Sequence, residues 1–290
     1  MHILDILHRE LQQASRLQSM TVEYLPSLLN KSDNSPVRQN LANEIFGQNA
    51  HWIDWSEQLG AWVSPDGTNV QVCVAEAARD LDPGELTLGF TSTLTGICLN
   101  LQGQIAVHAN AVILNGQAFA FIGYSGAGKS TLSAFCTSRG AGLVTDDVLV
   151  IDEQGAVLPG NPRIKLYPET GELLGLDASE ETNYKIFYHP ETHLGGTYQR
   201  EPVPLGGLYL LSNPESNTES IRLEAIPPAQ GIFELLTHGY DVSYFIDRNP
   251  KLFDAYVQLV NRCPVQRLIY PHDFSRLPEL YDLLLKESQK

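Results

Sequence analysis

A glycine-rich stretch with one lysine and one serine is the part of the chain best equipped to do chemistry. Residues 123–132 read GYSGAGKSTL and match the pattern G-x-x-x-x-G-K-[ST] in full. Such a loop holds phosphates, because its glycines let successive backbone N–H groups converge on oxygen atoms and its lysine adds a point charge. The pattern therefore predicts a nucleotide site, with the Ser130 hydroxyl as a ligand of Mg²⁺. The predicted nucleotide contacts are Gly123, Ser125, Gly126, Ala127, Gly128, Lys129, Ser130 and Thr131.

Two adjacent carboxylates, Asp146 and Asp147, lie in a β-branched run, LVTDDVLVI (residues 143–151), that is predicted to be one strand. A carboxylate near the loop can hold Mg²⁺ directly or through water. Its neighbour can accept the proton of an attacking hydroxyl, as kinase chemistry requires. Because adjacent strand residues point to opposite faces, we expect the two aspartates to divide these roles.

A hairpin is expected to bring a histidine to the loop. Two strand-like runs, residues 105–114 and 117–122, flank Asn115-Gly116, a strong signal for a two-residue turn. In a regular hairpin of this kind residue 114 pairs with residue 117, so His108 falls opposite Gly123. The register predicts that His108 lies beside the bound phosphates.

The loop also resembles that of ABC transporter ATPases. In addition, VLVIDE (residues 148–153) ends in Asp152-Glu153, as the Walker B strand of those proteins ends in an aspartate and a catalytic glutamate. However, their L-S-G-G-Q signature does not occur in this sequence. In an unbroken strand, Asp152 would lie about 20 Å from the Asp146 end, so only one acidic pair could meet the magnesium. DEQG (residues 152–155) is predicted to be an exposed turn, and the transporter interpretation is rejected.

Other patterns predict the elements that position these residues. A strand before the loop and a helix after it place the helix N-terminus at the phosphates. Helices are predicted at 1–20, 90–103, 130–140 and 278–286, a hairpin turn at Asp66-Gly67, a further strand at 204–212, and loops at 31–40 and 171–201.

Composition narrows the class of protein. The chain has 290 residues, 43% hydrophobic and 18% charged, as in an ordinary globular protein. Its net charge of −15 argues against a nucleic-acid partner. No apolar run approaches the roughly 20 residues that span a bilayer. The four cysteines lack C-x-x-C spacing, so reduced thiols and a cytoplasmic location are expected.

The motifs together resemble the catalytic domain of HPr kinase/phosphorylase and its relatives. The resemblance lies in HAN (108–110), in GYSGAGKS (123–130), and in TDD (145–147), whose Asp146 is 17 residues beyond Lys129. It extends over residues 103–290 and is nearest to the related serine kinases of lasso-peptide biosynthesis clusters, because GNPRIKLYPE (160–169) and PVQRLIYPHDFSRLPEL (264–280) are similar to their segments.

The resemblance implies a fold class: an α/β P-loop kinase core of the HPr kinase/phosphoenolpyruvate carboxykinase type. Such a core has a mixed sheet, with a hairpin entering the phosphate loop. Two domains are expected, an N-terminal α+β region at 1–102 and the catalytic domain at 103–290. Acceptor recognition is expected in residues 1–100 and in the 171–201 loop.

The resemblance also implies a role for each site residue. Asp146 would be the general base and His108 would orient or tune it. Asp147 and Ser130 would hold Mg²⁺. Arg163 would stabilise charge on the transferring phosphoryl group, which suits a guanidinium. In addition, Lys185 could assist.

The function expected from all this is an ATP- and Mg²⁺-dependent kinase that phosphorylates a hydroxyl, most simply a serine of a peptide or small protein. HPr kinase usually has Asp where this loop has Tyr124 and Glu where it has Thr131, and its N-terminal domain is not recognisable here. These departures favour the peptide-kinase relatives over phosphorylation of HPr itself. A small-molecule kinase and a non-catalytic ATP sensor remain alternatives. HPr kinases form hexamers, so a homo-oligomer stays open for this chain.

Overall fold

The computed structural model describes residues 17, 19–25, 50–78, 89–176, 185–212, 218–240 and 250–290. The chain divides into two compact units, Met1–Gly103 and Gln104–Lys290. The predicted loop at 31–40 lies outside the described residues. None of the helices in the described ranges is long and apolar enough to cross a membrane.

The first unit contains a four-stranded sheet in the order β1-β4-β3-β2. Its strands are β1 (Ser19–Leu25), β2 (His51–Asp54), β3 (Leu59–Val63) and β4 (Asn69–Ala75). The predicted hairpin is confirmed, since β3 and β4 pair antiparallel around Asp66-Gly67. The helix predicted over residues 1–20 is wrong at its end, where Ser19 and Met20 begin β1; residues 1–16 lie outside the described part.

A helix packs on this sheet. The predicted helix is confirmed as α1 (Phe90–Leu101), and Phe90, Leu94 and Cys98 recur at a spacing of four residues on one of its faces. These three side chains join the core that the buried faces of β3 and β4 form. The described part of this unit is therefore α+β.

The second unit carries the motifs. Its strands are β5 (Ile105–Leu114), β6 (Gln117–Ile122), β7 (Gly142–Thr145), β8 (Val148–Ile151), β9 (Ala156–Leu158), β10 (Ile164–Leu166), β11 (Ile186–Tyr188), β12 (Thr197–Tyr198), β13 (Val203–Leu211), β14 (Arg222–Ala225) and β15 (Val265–Ile269). Its helices are α2 (Lys129–Ser138), α3 (Pro168–Leu173), α4 (Pro228–Thr237), α5 (Pro250–Arg262) and α6 (Leu277–Glu287), with short helical turns at 190–194 and 274–276.

Nine of these strands form a mixed sheet. The order is β12-β7-β5-β8-β9-β13-β15-β14, and β6 pairs with both β5 and β13. The β5–β6 and β5–β8 pairs are antiparallel, whereas β6–β13 and β13–β15 are parallel. Strands β10 and β11 form a separate two-stranded sheet. The predicted α/β class with a mixed sheet is confirmed.

Helices cover both faces of the large sheet. Along β6, Ala118, Ala120 and Ile122 belong to one core cluster, together with residues of α4 and α5. Phe119 and Phe121 point the other way, into the cluster formed with α2 and α6. This period of two is what a strand buried on both faces requires.

Two expected elements differ from the structure. The strand predicted at 143–151 is interrupted at Asp146 and Asp147, where Asp147 has a left-handed φ of 73°. The assumption that the two aspartates alternate along one strand is therefore wrong. The predicted loop at 171–201 also contains β11 and β12.

Candidate functional site

The glycine-rich loop (residues 123–128) joins the end of β6 to the start of α2, as the motif predicts. Gly126 and Gly128 have φ values of 84° and 92°, a region that side chains disfavour. At Gly128 a Cβ atom would also lie 2.7 Å from the Tyr270 hydroxyl. Both positions therefore need glycine. A loop with this backbone conformation can direct its N–H groups towards a phosphate at the N-terminus of α2.

Lys129 is buried against this loop. Its Nζ donates to the carbonyl oxygens of Gly123 at 2.6 Å and Tyr124 at 3.2 Å. Burial, opposed by the charges of Asp147 and Asp146 but reinforced by Lys185, lowers the pKa of Lys129 to about 8. A buried ammonium of this kind gains from an anionic partner.

Asp146 lies directly beside the loop serine. Its Oδ1 accepts from Ser130 Oγ at 3.1 Å and from Asn110 Nδ2 at 2.5 Å, and its Oδ2 accepts from the backbone N–H of Lys165 at 2.9 Å. Asp146 is only 4% exposed. Burial and the charge of Asp147 raise its pKa. Both oxygens of this carboxylate are thus fixed by partners from three different segments.

Asp147 faces the lysine of a neighbouring strand. Its Oδ2 lies 2.6 Å from Lys165 Nζ, in a pair that is largely buried. Burial alone would raise the pKa of Asp147, but the charge and hydrogen bond of Lys165, together with the charge of Lys185, outweigh it and lower the pKa. The carboxylate is therefore ionised at neutral pH.

Hydrogen bonds to the backbone atoms of Asp147 hold this residue in its left-handed conformation. Its carbonyl oxygen accepts from the Tyr240 hydroxyl at 2.8 Å and from the backbone N–H of Ala109 at 3.1 Å. Its N–H donates to Asn110 Oδ1 at 3.4 Å. A left-handed non-glycine residue costs energy and persists where its surroundings enforce it.

The predicted hairpin register is confirmed as far as Ala109↔Ile122, the pair next to His108 and Gly123. The Nδ1 atom of His108 lies 3.2 Å from the Tyr240 hydroxyl oxygen. Because that hydroxyl already donates to Asp147, the Nδ1–H of His108 is the donor of this contact. Burial and the charge of Lys129 lower the pKa of His108 to about 4, so its ring is neutral at physiological pH.

Two further cations were expected at the site. Lys185 is near enough to influence the pKa values of both Lys129 and Asp147. Arg163 lies on the segment that leads into β10, and its guanidinium stacks on the Phe187 ring at 4.0 Å. The Nζ atom of Lys165, which pairs with Asp147, lies 5.9 Å from the centre of the same ring. Arg163 and Lys165 therefore lie on the same aromatic side chain.

Sequence reasoning missed three residues of this site. Asn110 lies two positions after His108 on the same strand, so a period of two could have found it. Lys165 lies two positions after Arg163 within a segment already singled out. Tyr240 is 93 residues from Asp147, and no local pattern indicates it.

The donor set fits a magnesium ion. The residues that the structure describes contain no group of three or more His, Cys, Asp and Glu side chains able to cage a metal. Magnesium does not need such a cage, because it usually takes one or two protein oxygens together with water and substrate phosphates. The Ser130 hydroxyl and the Asp146 carboxylate, in contact at the first turn of α2, are suitable oxygens.

Fold and site together define an α/β protein in which a hairpin strand runs into a glycine-rich loop beside paired aspartates. No protein-family model matches the chain, and no curated protein matches it. Among solved structures, it is similar to the Hpr(Ser) kinase/phosphatase from Coxiella burnetii, at 18% sequence identity and a TM-score of 0.32. The alignment covers 63% of this chain and 95% of that one.

Proposed function

We propose that this protein is an ATP- and Mg²⁺-dependent kinase that transfers the γ-phosphoryl group to a hydroxyl, namely a serine of a peptide or small protein. The observation that carries the proposal is the convergence of Lys129, Ser130, Asp146 and Asp147 at one end of the glycine-rich loop. Nucleotide binding alone requires a phosphate loop. Phosphoryl transfer also needs a group that accepts the proton of the attacking hydroxyl. Asp147, an ionised carboxylate paired with Lys165, can serve as that group.

The loop is proposed to hold the β- and γ-phosphates. Lys129 would exchange its bonds to the Gly123 and Tyr124 carbonyls for phosphate oxygens, which satisfies the buried ammonium with a full charge. Lys165, Lys185 and Arg163 would offset charge on the transferring group. Mg²⁺, held with ATP by Ser130 and Asp146, would neutralise charge on the phosphates.

The contacts support a division of the aspartates opposite to the one implied by the family resemblance. Ser130 contacts Asp146 rather than Asp147, as the magnesium serine and the Walker-B aspartate of P-loop enzymes do. The oxygens of Asp146 are also held by Asn110 and Lys165. We therefore assign Asp146 to the metal side together with Ser130, and Asp147 to the acceptor side.

In the proposed reaction the acceptor oxygen attacks the γ-phosphorus in line, and the bond from that phosphorus to the β,γ-bridging oxygen breaks. Asp147 accepts the hydroxyl proton, and ADP leaves. The neutral ring of His108 and the hydroxyl of Tyr240 keep Asp147 in place. Orientation of this kind accounts for much of what enzymes contribute to such reactions.

The experiment is incubation of the protein with γ-labelled ATP, Mg²⁺ and three acceptor sets: serine peptides, small hydroxyl metabolites, and none. Label on a peptide serine supports the proposal, and its loss in Lys129→Ala ties the transfer to this loop. Label on a metabolite alone would favour a small-molecule kinase. ATP binding without transfer to any acceptor would favour a nucleotide sensor.

A further inference from the structure

A cavity of about 180 Å³ adjoins the glycine-rich loop. One wall is the loop itself with the start of α2, through Gly126, Gly128 and Thr131. The other wall is the segment 270–274, which follows β15, together with Leu277. An apolar cavity of about 150 Å³ is large enough to hold an aromatic ring, so this one can accept a planar heterocycle.

The second wall is aromatic and is tied to the loop. The rings of Tyr270 and His272 stack with their centroids 4.7 Å apart and an interplanar angle of 27°. The Tyr270 hydroxyl donates to the carbonyl of Ala127, inside the loop, at 2.7 Å. The wall therefore keeps a fixed distance from the loop backbone.

The residues from Gly126 to Thr131 face two different sites. Lys129 and Ser130 face the aspartates, and this is the side proposed for the γ-phosphate. Gly126, Gly128 and Thr131 line the cavity instead. A nucleoside triphosphate held by the loop has its γ-phosphate at one end of the phosphate chain and its nucleoside at the other. The cavity adjoins Gly128 and Thr131 and has neither aspartate in its lining, so it is placed to receive the nucleoside of an ATP molecule whose γ-phosphate lies at the aspartates.

The lining suits a nucleobase better than a second phosphate. Asp273 contributes a carboxylate, which repels anions, and the rest of the segment offers Pro271 and the half-buried Phe274. Flat apolar surfaces and stacked rings suit the π-face of a nucleobase.

We infer that this cavity binds the purine base of ATP, with His272 and Phe274 as its specificity-determining contacts. The inference rests on the proposed nucleotide function and adds to it the subsite that distinguishes ATP from bare polyphosphate. Tyr270 is a positioning residue, because its hydroxyl holds the wall against the loop.

Calorimetric titrations with Mg²⁺-ATP and with Mg²⁺-tripolyphosphate test the inference on His272→Ala and Phe274→Ala. Each variant is expected to bind Mg²⁺-ATP about tenfold more weakly, the size of a lost base-stacking contact, and tripolyphosphate with unchanged affinity. Phe253→Ala is the matched control, because Phe253 is 42% exposed and lies outside the cavity lining. It should leave both affinities unchanged.

Unchanged Mg²⁺-ATP affinity in both cavity variants, in a protein that binds ATP, would overturn the inference and leave the proposed function standing. Equal weakening of Mg²⁺-ATP and tripolyphosphate would overturn it too, since the segment would then act only through the loop. If the unaltered protein bound neither ligand, the proposed function would fail together with the inference. Thermal unfolding of each variant checks that the fold is retained.

Discussion

Asp146 and Asp147 are neighbours in sequence but have different surroundings. Asp146 is enclosed by Ser130, Asn110 and the backbone of Lys165. Asp147 pairs with the side chain of Lys165 and is the more exposed of the two. The contrast arises because a left-handed turn at Asp147 replaces the strand geometry that the sequence favours.

Substitution of each aspartate separates their roles. We expect Asp146→Asn to weaken the gain in ATP affinity that Mg²⁺ provides, because it removes a charged oxygen next to Ser130. Asp147→Asn should leave Mg²⁺-ATP affinity nearly unchanged but lower kcat by about 10²–10⁴-fold, the usual loss for a missing general base. Calorimetry with and without Mg²⁺, together with steady-state kinetics, measures both effects. The reverse pattern would restore Asp146 as the base.

His108 gives a prediction about pH. Burial and Lys129 lower its pKa from 6.5 to about 4, so between these values the unfolded chain binds more protons there than the folded protein. The stability gained from neutral His108 is therefore complete above pH 6.5 and is lost as the pH falls towards 4. We expect His108→Gln to reduce the slope of the unfolding free energy against pH in this window by up to about 1 kcal/mol per pH unit.

Urea titrations of both proteins across this window measure the two slopes. The raised pKa of Asp146 contributes a slope of opposite sign in both proteins, so the difference between the slopes is the relevant quantity. Equal slopes would show that His108 is not held neutral by its surroundings.

Among the structural elements, the β5–β6 hairpin and the loop after it are governed by local chemistry. Asn115 and Gly116 both have positive φ, as a two-residue hairpin turn requires, and the register follows from that turn. The broken strand at 146–147 has no comparable local cause. Contacts from Asn110, Tyr240 and Lys165 create it, so a propensity for strand could not reveal it.

The conformation of Gly128 leads to a prediction about the stability of the loop. Gly128→Ala is expected to destabilise the protein by about 1–3 kcal/mol, because the residue has positive φ and the new Cβ would meet the Tyr270 hydroxyl. Gly126→Ala is the matched control, since it has positive φ but open space around the added methyl group.

Denaturant melts of Gly128→Ala alone and combined with Tyr270→Phe complete this test. The second change removes the hydroxyl oxygen, and the next atom of that ring lies 3.9 Å from the added Cβ. The cost of Gly128→Ala should therefore be smaller in the Tyr270→Phe background. An identical cost in both backgrounds would mean that the methyl group added at residue 128 does not clash with the Tyr270 hydroxyl.

At the scale of the whole molecule, the motifs and their contacts all lie in the unit Gln104–Lys290. That unit has helices on both faces of its large sheet and two substantial hydrophobic clusters. A unit with its own core is expected to fold alone.

A fragment of residues 104–290 should therefore unfold cooperatively and bind Mg²⁺-ATP with an affinity close to that of the full chain. If the first unit recognises the acceptor, the fragment should lose transfer to a peptide while keeping ATP binding. Circular dichroism melts and calorimetry measure the first two properties, and the labelled-ATP assay measures the third. A fragment that folds and transfers normally would assign acceptor recognition to residues 104–290.

The sequence by itself determined the glycine-rich loop, the hairpin register that leads into it and the α/β class. Each of these depends on residues close together in the chain, whose turn chemistry and periodicity act locally. Only the tertiary structure decided which aspartate meets Ser130, brought Lys165 and Tyr240 to the site, and closed the cavity between the loop and residues 270–274. Those outcomes depend on packing between segments distant in sequence, where burial and opposing charges overrule the preferences of any single stretch.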